Sequence, residues 1–312
     1  MAYSKDCLEV IFSSDDNYAR HLGAALYSLL AHNREFGHIN VYVIDNEICP
    51  ENRARLEKTA AGFSNASLIF IDFAPWRDSL RLNLSWPISL SSYARLFVGS
   101  MLPETVSRIL YMDCDVVVCE SLRAFWETDL GGSIVGAIQD FVSDQTKSAV
   151  GLTPGEAYFN AGILLIDMDE WRRQNVGSDC LAFIDAHQGN VKHHDQGVLN
   201  GVLHNRRVIL PARYNLMTIH YVFSRRKLVR YFNDHAAFYS EKEIDEAKRA
   251  PVILHYTPSF TSRPWVKNCR HPLKELYWDN LGKTPWSSTA PEPDMAKWYA
   301  RLINWRYRCL PY

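Results

Sequence analysis

The chain has no pair of cysteines at C-x-x-C spacing. Its seven cysteines, Cys7, Cys49, Cys114, Cys119, Cys180, Cys269 and Cys309, are odd in number. A disulfide framework and a zinc ribbon are thereby disfavoured, and free thiols in a reducing cytoplasm are the simpler expectation. No stretch approaches the ~18 consecutive apolar residues of a membrane-spanning helix. The opening "MAYSKDCLEVIFSS" carries Asp6 and Glu9 and does not have the form of a secretory leader. Charge of either sign is also scarce in the balance: 34 basic against 35 acidic residues leave a formal net charge of -1. The protein as a whole is therefore no polyanion binder, and nucleic acid is not an expected partner. No G-x-G-x-x-G follows the first apolar run, which disfavours a dinucleotide-dependent dehydrogenase, and the P-loop of a kinase is missing too. Internal repeats and low-complexity tracts are lacking.

What is present is an ordinary globular mixture, 47% hydrophobic and 22% charged over 312 residues, enough for a sizeable core. Short apolar runs alternate with helix-like segments. Strands are expected at Leu8–Phe12, Ile39–Ile44, Leu68–Ile71, Ile109–Met112, Val135–Ile138, Ile163–Ile166, Val208–Leu210 and Val252–Leu254. Ala19–Ala31 has apolar residues at helical spacing after the cap-rich "SSDDN", and "CPENRARLEKTAAGF" opens a second helix with proline. This alternation predicts an α/β fold with a mostly parallel sheet covered on both faces. Such sheets bind ligands beyond the carboxyl ends of their strands. Polar residues collect there: "SSDDNY" after the first strand, "DCD" after the fourth, "QD" after Ile138 and "HYTPSF" after Leu254.

The stretch "LYMDCDVVVCE" poses the sharpest question. Asp113 and Asp115 spoil the end of a buried strand with two like charges. They repel unless something positive lies between them, and a hard divalent cation such as Mg²⁺ or Mn²⁺ serves best. The intervening Cys114 then offers its backbone. Taken alone, D-x-D also describes an ordinary solvated turn.

Six motifs in order, "FSSDDNYARHLGAALYSLL", "SSYARL", "ILYMDCDVVV", "YFNAGILLIDMDEWR", "HHDQGVLN" and "LHY…RPW", resemble glycosyltransferase family 8, especially bacterial lipooligosaccharide galactosyl- and glucosyltransferases, over roughly residues 8–265. The resemblance implies a single nucleotide-sugar-binding Rossmann-like domain of GT-A type. It also implies transfer of a hexose from a UDP-sugar with retention at the anomeric carbon, and Mn²⁺ as the metal. Asp113, Asp115 and His255 match its metal ligands. The imidazole favours Mn²⁺ over Mg²⁺, which stays the alternative. Ser13, Asp15, Asn17 and Tyr18 match the uridine-binding loop, where Asp16 reads as a plain helix cap. Arg95 would contact donor hydroxyls or support the acids, against the alternative of a surface arginine. Asp140, Asn160 and Ala161 fall at donor-sugar positions. Asp195 would bind a sugar hydroxyl, with a helix N-cap as its alternative. Gln196 lies where the family approaches the anomeric carbon, and an amide there favours front-face transfer over a covalent intermediate. One stretch departs from the family: "HYTPSFTSRPW" is two residues longer than usual, lacks its glycine and carries Arg263 in place of a phosphate-binding lysine.

The resemblance implies a saccharide or lipid-linked acceptor, lipopolysaccharide or lipooligosaccharide core, and leans to galactose as the sugar. A protein acceptor such as an adhesin, or UDP-sugar binding without turnover, are the alternatives. Residues 1–265 are expected to form the catalytic domain and 266–312 an extension. In that extension Gly282–Asp294 reads as a linker, and the segment beyond Met295 as a helix with Trp298, Leu302 and Trp305 on one face and Lys297, Arg301 and Arg308 on another. That helix could rest peripherally on the inner face of an anionic membrane, or pack on the domain or a partner.

Overall fold

The computed structural model describes residues 3–83, 89–234, 239–258 and 261–295. These form an α/β fold around two sheets. The larger has the strand order β3-β2-β1-β4-β7-β6-β8: β1 Cys7–Asp15, β2 His38–Asn46, β3 Ala66–Asp72, β4 Arg108–Met112, β6 Val135–Gln139, β7 Phe159–Asp167 and β8 Arg207–Ile209. Its β3-β2-β1-β4 half is parallel throughout; β7 runs antiparallel to both neighbours, and β6 and β8 are parallel. A smaller sheet joins β5 Val116–Val118, β10 Ile253–His255 and β9 Leu216–Met217 in the order β5-β10-β9.

The central strands are apolar on both faces because both faces are covered. Leu8, Val10 and Phe12 of β1 and Leu110 and Met112 of β4 enter one core, while Ile11, Ile109 and Tyr111 enter the other. The period-2 alternation of a strand dictates this division. Helix α1, Ala19–Ala31, covers the first core, burying Leu22, Leu26, Leu29 and Leu30. Helix α2, Pro50–Ala60, begins with proline, whose missing N–H costs nothing at that position.

All eight expected strands are present. The short β5 and β9 were not anticipated, although apolar residues resume directly after Asp115. The described cysteines, Cys7, Cys49, Cys114, Cys119, Cys180 and Cys269, are unpaired; Cys309 lies outside the described residues.

Gly282–Asp294 is not a free linker. Trp286 is 5% exposed, its ring lies against Gly23 of α1, and Val266 pairs with Glu292. A helix at Lys274–Leu281 precedes it and packs on α1. Proline and serine marked a chain reversal here, and a buried tryptophan anchors it. Among the described residues no helix is long and apolar enough to cross a membrane. Trp298, Leu302, Trp305, Lys297, Arg301 and Arg308 lie outside the described residues.

Candidate active site

Strand register assembles the site. In β1 and β4, Phe12 pairs with Met112, so Asp113 leaves the sheet beside Ser13, which stays paired with Ile44 of β2. Antiparallel pairing of β7 sets Ile163 opposite Met112, and the Asp113 N–H donates to Gly162 O at 2.8 Å. The chain then enters β5, where β10 pairs antiparallel and brings His255 opposite Val116. The Tyr256 N–H closes the pair on Asp115 O at 2.9 Å. Three segments far apart in sequence thus place Asp113, Asp115 and His255 together. One donor atom from each lies within 4.8 Å of the others.

This trio fits a divalent cation. His255 is 3% exposed and its Nδ1 meets Asn215 Oδ1 at 2.9 Å. The Asn215 amide itself donates to Asn160 Oδ1, at 2.9 Å. Its oxygen must therefore accept, which assigns a proton to Nδ1 and leaves Nε2 as the nitrogen facing Asp115 and Asp113, 3.1 and 3.9 Å away, where a neutral ring would offer its lone pair to a cation. A second residue that fixes the tautomer is what metal-binding histidines require. Gly162 leaves the room: a Cβ there would meet His255 Cε1 at 2.4 Å and Asp113 Oδ2 at 2.7 Å. Two carboxylates and an imidazole suit Mn²⁺ better than a purely oxygen-seeking ion.

Charge is dense around the trio. Burial alone would raise the Asp115 pKa, but His255 and then Arg263 outweigh it and hold the carboxyl well below the usual range. Burial disfavours a charged His255, yet Asp115 and Asp113 lift its pKa above the ordinary value. In the absence of metal, then, protons compete for this ring.

Arg95 is not a surface residue. It is 4% exposed on a 3-10 helix, Leu90–Phe97, and its guanidinium reaches Asp113 Oδ1 at 2.8 Å, Asp195 Oδ2 at 3.1 Å and the Ala161 carbonyl. Tyr111, which the sequence did not single out, adds its hydroxyl to Asp113 Oδ1 at 3.2 Å. Asp195 is not a cap: the helix His194–Leu203 starts one residue earlier, and the Asp195 side chain turns to Arg95. Burial raises its pKa against the pull of that arginine. Two successive residues with positive φ, His193 at 61° and His194 at 56°, make the abrupt turn into this helix.

Gln196 sits in a closed net. Its Nε2 donates to Asp140 Oδ2 at 3.1 Å, and its Oε1 accepts from the Ala161 N–H at 3.1 Å and from Asn160 Nδ2 at 3.2 Å. Ser92, Arg95, Asp113, Ala161, Gly162, Asp195 and Gln196 line a cavity of about 370 Å³. A neighbouring cavity of about 360 Å³ shares Arg95 and Asp113 and continues to Ser13, Asp15, Tyr18, Cys114 and Arg263. Within it, Asp15 accepts from the Tyr18 N–H at 3.1 Å and from Ser89 Oγ at 2.7 Å. Asp15, rather than Asp16, is therefore the cap of this turn. Asp16 instead receives the Cys49 N–H at 2.9 Å and Asn52 Nδ2 at 2.8 Å, tying α2 to the loop. Asn17 does not join the cavity; it is exposed and lines a separate cleft with Asp16, Arg20 and Trp286. Burial raises the Tyr18 phenol to about 12, so it stays neutral. Cys114 is likewise neutral, its thiol facing Ser13 O at 3.2 Å.

The sequence offered no signal for Asn215 or for Tyr111: one is a lone amide at the end of the 3-10 helix Ala212–Asn215, the other a strand residue before the acids.

Two adjacent cavities beyond the carboxyl ends of an α/β sheet, both lined by Asp113, with Asp115 lining one and His255 buried against the two acids, are where a ligand of such a fold is expected to bind. Comparison with known proteins supplies the class. The model of glycosyl transferase family 8 matches residues 9–269, and the chain belongs to that family. It is 29% identical over 287 residues to general stress protein A of Bacillus subtilis, covering 91% of this chain and 96% of that one. It is 27% identical to the lipopolysaccharide 1,2-glucosyltransferase of Escherichia coli, over 92% and 81% of the two chains. Among solved structures it resembles the galactosyltransferase LgtC in complex with donor and acceptor sugar analogs, at 28% identity and a TM-score of 0.70, over 91% and 98%.

Proposed function

We propose that this chain is a retaining hexosyltransferase that moves galactose, rather than glucose, from its UDP donor to a saccharide of lipopolysaccharide or lipooligosaccharide core, working at the cytoplasmic face of the membrane. The carrying observation is the Asp113–Asp115–His255 trio, of which Asp113 lines two adjacent cavities and Asp115 one of them. The lean to galactose rests on likeness to LgtC. Residues 1–265 carry the chemistry in this proposal, and the segment beyond braces α1.

Asp113, Asp115 and His255 would hold Mn²⁺, which when bound supplies Lewis-acid relief of the charge that builds on a departing diphosphate. The cavity with Ser13, Asp15 and Tyr18 suits the nucleoside, Tyr18 offering its ring; Asn17 lies outside that cavity. Cys114 gives backbone contacts, and Arg263 reaches the diphosphate. In the other cavity Arg95, Ala161 and Asp195 would hold the hexose, with Asp140 and Asn160 contributing through Gln196, which they bond. Gln196 stands at the anomeric carbon, held by Asp140, Asn160 and Ala161. Its amide is neutral and a poor nucleophile, so the acceptor hydroxyl attacks from the face the diphosphate leaves. The sugar–phosphate C–O bond breaks with its electron pair going to the phosphate oxygen, and that oxygen takes the acceptor's proton.

The test is donor screening with UDP-Gal, UDP-Glc and UDP-GlcNAc in Mn²⁺, followed by NMR of the product's anomeric configuration. Transfer from UDP-Gal with retention is expected. Full turnover after exhaustive chelation, or an inverted product, would overturn the proposal.

A further inference from the structure

We propose that Arg263 and a divalent cation compete for Asp115, so that the site takes up the cation well only in company with a diphosphate; this rests on the metal-assisted function proposed above. Arg263 Nη2 donates to Asp115 Oδ2 at 2.9 Å, while Asp115 Oδ1 faces His255 Nε2 at 3.1 Å. Asp115 is only 7% exposed, so a cation reaching it must share or displace that guanidinium. Arg95 is already on Asp113 at 2.8 Å. Arg263 matches Asp115, while Arg95 is shared by Asp113 and Asp195, so three carboxylates stand against two guanidiniums. With the His255 ring neutral, a divalent cation entering alone would tip the cluster from one net negative to one net positive charge in a poorly solvated site. A diphosphate arriving with it restores the balance and offers Arg263 another partner, since the forked guanidinium suits phosphate oxygens as well as carboxylates.

The two arginines are not equivalent. Arg95 is fixed by bonds to the Ser92 and Ala161 carbonyls as well as to two acids. Arg263 has Asp115 as its one side-chain acceptor among the described residues. Its Nε is buried without a partner, and its side chain is 27% exposed. Beyond Asp115 it rests over the rings of Tyr18 and Trp265, 5.8 and 5.5 Å from their centroids. Ring faces hold a cation without fixing its orientation. Arg263 is therefore the side chain able to change partners, and it acts as a positioning residue for cation loading.

The experiment titrates Mn²⁺, following the loss of the free aqueous ion's EPR signal, into the full chain, Arg263→Gln and Arg263→Lys, each with and without UDP. Without UDP, Arg263→Gln should bind Mn²⁺ about tenfold tighter than the parent, the worth of one charge-assisted bond. With UDP it should bind about tenfold weaker. Arg263→Lys should restore most of the UDP-dependent binding and shift Mn²⁺ binding without UDP the same way by a smaller factor. It also decides the matter if Arg263→Gln does not fold. A merely structural role would weaken both measurements together. Mn²⁺ binding without UDP that is unchanged or weaker in both variants overturns the proposal. Absence of Mn²⁺ binding by the parent even with UDP present sinks the cation-dependent function itself, and this proposal with it.

Discussion

Five charged side chains, Arg95, Asp113, Asp115, Asp195 and Arg263, and the imidazole of His255 meet beyond the end of β4. A short distance along the chain, the seam between α1 and the segment after Arg263 is made of rings. His21 stacks on Trp265 with centroids 3.8 Å apart and meets the Tyr277 hydroxyl at 2.8 Å, and Trp286 closes over Gly23. The two regions share a piece of chain, since Trp265 follows Arg263 by two residues. They spend free energy in opposite directions. Burying ions costs desolvation that pairing recovers only in part, whereas burying rings is favourable with no such debit. The charged cluster is thus expected to be dispensable for folding and needed for turnover, and the seam the reverse.

Asp113→Asn should break the comparison most forcefully. It removes one proposed cation ligand while keeping shape, and Arg95 keeps Asp195 as a partner. Transfer should fall about a thousandfold, as expected when several kcal/mol of electrostatic stabilisation is lost. The thermal midpoint should stay close to the parent's. A midpoint collapse matching the activity loss would mean that the cluster holds the fold instead.

Trp286→Ala is the mirror experiment. Its indole is nearly fully buried, and its removal leaves a cavity beside α1 that glycine at 23 cannot fill. Stability should drop by about 3–5 kcal/mol in urea unfolding. Turnover at a temperature where the variant is still folded should change only a few-fold, because the strand ends that carry the trio do not depend on this ring. A loss of turnover as deep as that of Asp113→Asn in folded protein would erase the distinction between the regions.

The same contrast explains what the sequence made legible. The eight strands were readable because each is a short apolar run, and α1 because its apolar residues recur at helical spacing. Asp113 and Asp115 stood out because charge at a strand end is costly and so conspicuous, whereas His255 was set beside them only by resemblance to the family. The interactions of Arg95 and Asp195 were not, because nothing local says that an arginine on a 3-10 helix and an acid at a helix start will meet 3.1 Å apart. Asp15 and Asp16 were exchanged for a related reason: either can cap the turn, and only tertiary structure brings Cys49 and Asn52 to Asp16. Gly282–Asp294, one part of the seam, reads as a linker from sequence because proline and serine dominate the local signal, while Trp286 acts through α1, far away in sequence.

The smallest expected effect sharpens the comparison by pH. Burial holds His21 neutral and pushes its pKa down from 6.5 to about 3, with Arg20 adding to the shift and Asp115 opposing it. Trp265, Tyr277 and Tyr18 face the ring without charge, and Glu292 Oε1 stands 3.9 Å from Nε2. Above pH 6.5 neither folded nor unfolded His21 carries a proton, so its contribution is fully present. Between 6.5 and about 3 the unfolded chain takes up a proton that the folded seam refuses, and stability falls as pH falls. Below about 3 both states are protonated and the loss levels off. The slope from one such site is at most about 1.4 kcal/mol per pH unit. His220 and His271, also buried with lowered pKa values, add slopes of the same sign. Urea unfolding at a series of pH values from 7 to 4 should therefore show a gentler acid slope in His21→Gln than in the parent, by about 1 kcal/mol per unit, with the remainder shared by the other histidines whose pKa the fold lowers, His193 among them, and by carboxylates such as Asp115 whose pKa it also lowers. An identical slope would mean that the seam admits a proton at His21, with Glu292 as its counter-ion, and that it too is built on charge.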